Sequence, residues 1–242
     1  LQPNVDRLAY VFEINLDPSS LTVVSSSVYE ALIHSQRRFN YDEVDAMFEE
    51  RLQPSSDSER VIFNYLKKLK IVTDALKKIR LKTGYNFRSS ELEMIVDKDT
   101  NLVATEYAQE TPSHALIEDC MLLANKEAAA RFQRGVFRIH EPPSQLKLQK
   151  LYNELAEIGI FVDIKASLRE TIGAIQIKAE EIGLQSEVDT LIIRSQMQAR
   201  YSPLNSGHFG LGFEAYTHFT SPIRRYSDLI VHRLLKAIAN HD

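Results

Sequence analysis

Arg224 and Arg225 are adjacent in a stretch that opens with Gly207-His208-Phe209-Gly210-Leu211-Gly212. It continues through His218-Phe219-Thr220-Ser221-Pro222-Ile223-Arg224-Arg225-Tyr226 to Asp228, His232 and Arg233. A guanidinium keeps its charge at any physiological pH, and its planar fork of donors matches the oxygens of a phosphodiester. The spacing predicts a helix that begins beside these arginines. Thr220 or Ser221 suits the N-cap and Pro222 the first turn, with Ile223, Tyr226, Leu229, Ile230 and Leu234 marking an apolar face. The positive end of a helix dipole disfavours cations, so two arginines at that position call for an anionic partner, most simply a phosphate.

Arg224 is the first candidate for a group that stabilises charge on a reacting phosphate. Its competing structural use is an ion pair with Asp228, one helical turn on. Arg225 would be turned about 100° from Arg224 on a helix, so one of the two can bind a neighbouring phosphate while the other serves structure. Asp228 and His232 share the Arg224 stripe and read as hydrogen-bonding supports rather than as acid or base. Gly207, Gly210 and Gly212 allow a close backbone approach between His208 and His218.

These residues need a scaffold, and the chain is long enough for one: 242 residues, 44% hydrophobic, with no repeat or low-complexity tract. Leu8 to Leu16 and Leu21 to Leu32 read as strands joined by the turn Asp17-Pro18-Ser19-Ser20. Helical spacing follows after Tyr41, with Val44, Met47, Phe48 and Leu52, and again from Ser58 to Lys82. Ser56 and Glu59 have capping-box spacing before that second helix, and Gly84 stops it. A hairpin is expected over Leu92–Val96 and Leu102–Tyr107. Helices are expected over His114–Gln133, Ser144–Glu157, Ser167–Glu180 and Glu187–Gln198, with breaks at Pro142-Pro143 and Gly183. The fold class is α+β: hairpins or a sheet in the first half, packed by several α-helices.

The composition argues against a secreted or membrane protein: there is one cysteine, Cys120, and no long apolar run or signal peptide, so a cytoplasmic location is expected. A net charge of −4 is not that of a general nucleic-acid binder, although a local channel does not need a basic whole. The basic run from Lys67 to Lys82 reads as a solvated helix face.

The block from His218 to Tyr226, with Asp228 and His232-Arg233, resembles the signature of the RNB exoribonucleases, most closely their RNase R branch. Ile117-Glu118-Asp119-Cys120-Met121-Leu122-Leu123-Ala124-Asn125 resembles a second motif of that family, and weaker similarity begins at Pro3-Asn4-Val5-Asp6-Arg7-Leu8-Ala9. The resemblance implies that residues 1–242 form the later part of an RNB catalytic domain, read as a single unit. The parent would be a metal-dependent 3′→5′ exoribonuclease releasing nucleoside monophosphates from single-stranded RNA. By the same resemblance Arg224 contacts the scissile phosphate, Tyr41 and Glu118, or Asp119 beside it, hold the RNA near its 3′ end, and Phe87 stacks on the terminal base; the residues themselves add Arg225, for a neighbouring phosphate, and His218, in a segment rich in glycine and aromatics, as further RNA contacts. The family's aspartate cluster has no equivalent here: Asp42 with Asp45, Asp97 with Asp99 and Glu118 with Asp119 supply too few carboxylates for a pair of hard cations. The Mg²⁺ ligands are therefore expected outside this chain, which is expected to be inactive alone. The alternative is a non-catalytic RNA-binding or protein-docking module, with an RNA helicase as its partner.

Overall fold

The computed structural model describes all residues except 1, 86–91, 99, 108–110 and 241–242. In chain order the elements are β1 (Asp6–Leu16), β2 (Val23–His34), α1 (Tyr41–Phe48), α2 (Asp57–Arg80), β3 (Leu92–Val96), β4 (Leu102–Tyr107) and α3 (Pro112–Ala129). They continue with β5 (Phe137–Ile139), α4 (Gln145–Glu157), α5 (Leu168–Glu181), α6 (Gln185–Ser195), β6 (Arg200–Ser202) and α7 (Tyr226–Ala239). The fold is α+β, as expected. Its described strands pair as three separate antiparallel ladders, β1 with β2, β3 with β4 and β5 with β6, rather than as one sheet.

The contacts divide the chain into two compact units. The first comprises Leu1–Ile79, Glu110–Gly135 and Thr217–Asp242, and holds β1, β2, α1, α3, α7 and nearly all of α2. Its hairpin is closed by Asp17, whose carboxylate accepts from the Ser19 and Ser20 amides at 3.0 and 2.8 Å; those bonds, chiefly from Ser20, hold the carboxyl below its ordinary value. The Tyr10 and Phe12 rings of β1 meet the Phe219 and His232 rings, with Phe12 edge-on to Phe219 at 5.5 Å and Phe219 stacked on His232 at 4.4 Å. Phe219, Val231 and Leu235 are buried in the same unit as Met47, Leu116, Leu122 and Ala128.

The caps explain where the helices of this unit start. Asn40 and Glu43 form a reciprocal capping box at α1. The box expected at Ser56 and Glu59 forms by half. The Glu59 amide donates to Ser56 Oγ, but the Glu59 carboxylate turns to the Ser55 amide and hydroxyl at 2.6 and 2.7 Å and to Arg37 Nε at 2.9 Å. These bonds, the Ser55 ones foremost, bring its pKa to about 2.

At α3 the N-cap residue Thr111 makes no side-chain cap bond to the helix. Asp45 of α1 caps from outside, its carboxylate accepting from the Ser113 amide at 2.9 Å and the Ser113 hydroxyl at 2.7 Å. Burial pushes the Asp45 carboxyl up, but the bonds from Ser113 and Thr111 outweigh it and leave the group below its ordinary 3.8. A carboxyl depressed on folding contributes stability that is fully present above its unfolded pKa and is lost as the pH falls through the folded value. Asp45→Ala is therefore expected to cost about 1–3 kcal/mol at neutral pH. In urea unfolding, the gap to the unsubstituted chain should shrink below about pH 4, toward which the unfolded carboxyl titrates.

The second unit comprises Arg80–Gln109 and Val136–Tyr216. Ser144 and Ser167 cap α4 and α5, the latter as a full box with Glu170. Leu151, Leu155, Ile160, Ile172, Ile175, Val188 and Ile192 form its core, with Tyr85 and Ala179. Gly212, at φ +68°, lies where a Cβ would stand 2.4 Å from the Gly84 amide nitrogen and the Thr83 carbonyl carbon; only glycine fits this close approach.

Candidate functional site

The helix that carries the arginine motif begins at Tyr226, four residues later than its sequence predicts. Thr220 and Ser221 are not its N-cap; Arg225 occupies that position and makes no side-chain cap bond. The cause is Asp228, which is fully buried. Its carboxylate accepts from the Ser221 amide at 2.8 Å, from Arg225 Nε and Nη2 at 2.9 and 2.8 Å, and from Ser227 Oγ at 3.1 Å. Ser221 is thereby drawn onto the first turn of α7. Residues 222–224 close into a turn of their own, in which the Arg224 and Arg225 amides both donate to the Ser221 carbonyl.

The two arginines consequently differ. Arg225 is spent on Asp228 and its side chain is 25% exposed. Arg224 projects from the turn, exposed, and its guanidinium has no ion pair or hydrogen bond among the described residues. The structural pairing that sequence spacing offered to Arg224 belongs to Arg225. His232 also has a structural bond, its Nε2 lying 2.8 Å from the Phe219 carbonyl oxygen. His218 is half-buried and engaged with neighbours.

The turn is anchored from its other side by α3. The buried Asn125 accepts the amides of Phe219 at 2.8 Å and Thr220 at 3.2 Å through one side-chain oxygen. The two motifs, nearly a hundred residues apart in sequence, are thus joined by hydrogen bonds. On α3, His114, Glu118 and Asn125 fall within about 40° of one another around the helix axis and span roughly 16 Å along it. Tyr41 lies at the other end of this stripe, its ring stacked on His114 with centroids 3.8 Å apart and planes inclined by 21°. Glu118 is exposed on the stripe between the stack and Asn125.

Four of the expected residues, Tyr41, Glu118, His218 and Arg224, and the tethered Arg225, therefore belong to one compact unit. Phe87 lies outside the described residues. Sequence reasoning passed over His114 and Asn125 as individual groups; their spacing from Glu118 on a single helix was the available signal. Among the described residues no three His, Cys, Asp or Glu side chains converge to hold a cation. What the arrangement offers is a guanidinium carried to solvent by a clamped turn, with a half-exposed aromatic stack and a carboxylate along α3.

A family model described as the RNB domain matches residues 1–241. A protein named Ribonuclease R from Helicobacter pylori strain J99 is 36% identical over 251 residues, which cover 97% of this chain and 36% of the relative. Among solved structures, Mycoplasma genitalium RNase R in complex with ribose-methylated single-stranded RNA matches with a TM-score of 0.88 at 28% identity, over 98% of this chain and 37% of that one. Yeast Ssd1, a pseudonuclease, shares the fold alone, with a TM-score of 0.70 at 20% identity over 98% of this chain and 30% of its own. The chain spans about a third of the length of these proteins. Among the described residues no helix is long and apolar enough to cross a membrane.

Proposed function

The chain belongs to the RNB family, and from that premise we propose that residues 1–242 are the later part of the catalytic domain of a cytoplasmic, RNase R-like 3′→5′ exoribonuclease. The parent protein degrades single-stranded RNA from its free 3′ end to nucleoside monophosphates with Mg²⁺, whose ligands lie outside this chain. The observation that carries the reading is Arg224, an exposed guanidinium whose neighbours Asp228, Arg225 and Asn125 are all committed to holding its turn in place. The clamped turn delivers a permanently charged fork to one place, where it can meet the negative charge that develops on a phosphate under attack. Tyr41 and Glu118 act at the 3′-terminal nucleotide, the ring by stacking and the carboxylate by accepting from a ribose hydroxyl, which distinguishes RNA from DNA. His218, Arg225 and Phe87 complete the proposed RNA contacts, Arg225 in part through its hold on the turn.

The test is incubation of the purified chain with 5′-labelled single-stranded RNA and Mg²⁺, followed by denaturing electrophoresis and, in parallel, by filter binding. An intact band together with measurable binding is the expected result. Progressive shortening from the 3′ end would overturn the assignment of the metal ligands to another part of the protein. Neither cleavage nor binding would favour the other reading, a module that docks a protein partner such as an RNA helicase; the lack of a convergent ligand set among the described residues is what keeps that reading in play.

A further inference from the structure

We infer that His114 is a positioning residue for the terminal nucleotide of the RNA: it backs the Tyr41 ring and fixes the plane on which that nucleotide's base stacks. The inference rests on the reading that Tyr41 contacts the RNA, and adds to it a residue and a mechanism.

Tyr41 opens α1, where an exposed aromatic side chain has more than one staggered rotamer open to it. A ring that must be immobilised when a base arrives spends part of the stacking energy on its own ordering. Here one face of the ring is already covered by the imidazole, near-parallel at 3.8 Å, while the residue remains 44% exposed. The imidazole is itself held, its Nδ1 lying 2.7 Å from Thr111 Oγ1. Thr111 Oγ1 lies 3.2 Å from Ser113 Oγ, and Ser113 Oγ is shared between Asp45 Oδ2 at 2.7 Å and the Tyr41 carbonyl at 3.3 Å. The chain of contacts therefore closes on Tyr41: the first turn of α3 holds its backbone through Ser113 and its ring through His114. Glu118 follows His114 by one helical turn on the same face, so the stack and the carboxylate proposed for the ribose lie on one stripe of α3.

His114 is exposed, and its truncation would open no cavity; as a purely structural residue it would be close to dispensable. A preorganising role predicts a different pattern. Binding of a 5′-fluorescein-labelled oligoadenylate to the whole 242-residue chain, read by anisotropy, should weaken roughly fivefold in His114→Ala and about tenfold or more in Tyr41→Ala. His114→Phe, which restores a flat ring, should recover most of the affinity. The same oligonucleotide with an abasic 3′ terminus should bind the unsubstituted chain and His114→Ala equally, because it offers no terminal base to stack. A Tyr41→Ala effect with no His114→Ala effect overturns the inference and leaves the reading of Tyr41 standing. An equal loss with both oligonucleotides, or no rescue by Phe, also overturns it. If the unsubstituted chain binds neither oligonucleotide, or Tyr41→Ala binds normally, the reading on which the inference rests has failed and the inference falls with it.

Discussion

Asp228→Ala is expected to lower the unfolding free energy by about 3–5 kcal/mol, the range for removing one partner of a buried ion pair. The change should appear as a lower urea midpoint at an unchanged slope. The size follows from what the carboxylate holds. It is fully buried and receives two donors from Arg225, one from the Ser221 amide and one from Ser227. Alanine leaves a guanidinium that is only 25% exposed and a backbone N–H without their acceptor, and both lie beneath a turn that no side-chain cap supports. Asparagine retains one oxygen for Ser221 but cannot match the fork of Arg225, so Asp228→Asn should lose less, about 1–3 kcal/mol. A loss for alanine below about 1 kcal/mol, the value of an exposed pair, would mean that the turn is held by other contacts.

The same carboxylate marks where the sequence was legible and where it was not. Alternation in β1 and β2, the turn at Asp17, and Ser144 and Ser167 ahead of apolar periodicity are local signals. The corresponding elements form within a few residues of where these signals point. The start of α7 depended on a competition that propensity does not register. Pro222 is a good first-turn residue, yet Asp228 takes the Ser221 amide with its side chain, and the helix begins only after the turn this creates. Arg224 and Arg225 stand four and three residues from Asp228, and both spacings permit a helical ion pair, so sequence alone could not say which arginine is free. The ladder of β5 and β6, three residues each and separated by three helices, has no local signature. The capping of α3 by Asp45 and the stacking of His114 on Tyr41 exist only because α1 packs on α3. In the candidate site, residue types were readable, but the division of labour among them required tertiary contacts.

That division of labour makes the two neighbouring arginines separable. Arg224→Ala should leave stability within about 0.5 kcal/mol of the unsubstituted chain, as for an exposed side chain without a partner, whereas Arg225→Ala should destabilise in the manner of Asp228→Ala. In the longer exoribonuclease proposed above, Arg224→Ala should reduce turnover of single-stranded RNA by roughly 10²–10³, the range for losing one donor to transition-state charge, with RNA affinity nearly unchanged. Arg224→Lys should recover little of that rate, because a point charge on a flexible stem cannot reproduce a bidentate fork. If instead affinity falls while the salt dependence of log Kd flattens by about one phosphate contact, Arg224 is holding RNA in its ground state and the binding-module reading gains. Unchanged turnover and unchanged affinity would leave Arg224 without either role, in spite of its exposed guanidinium and the clamp that presents it.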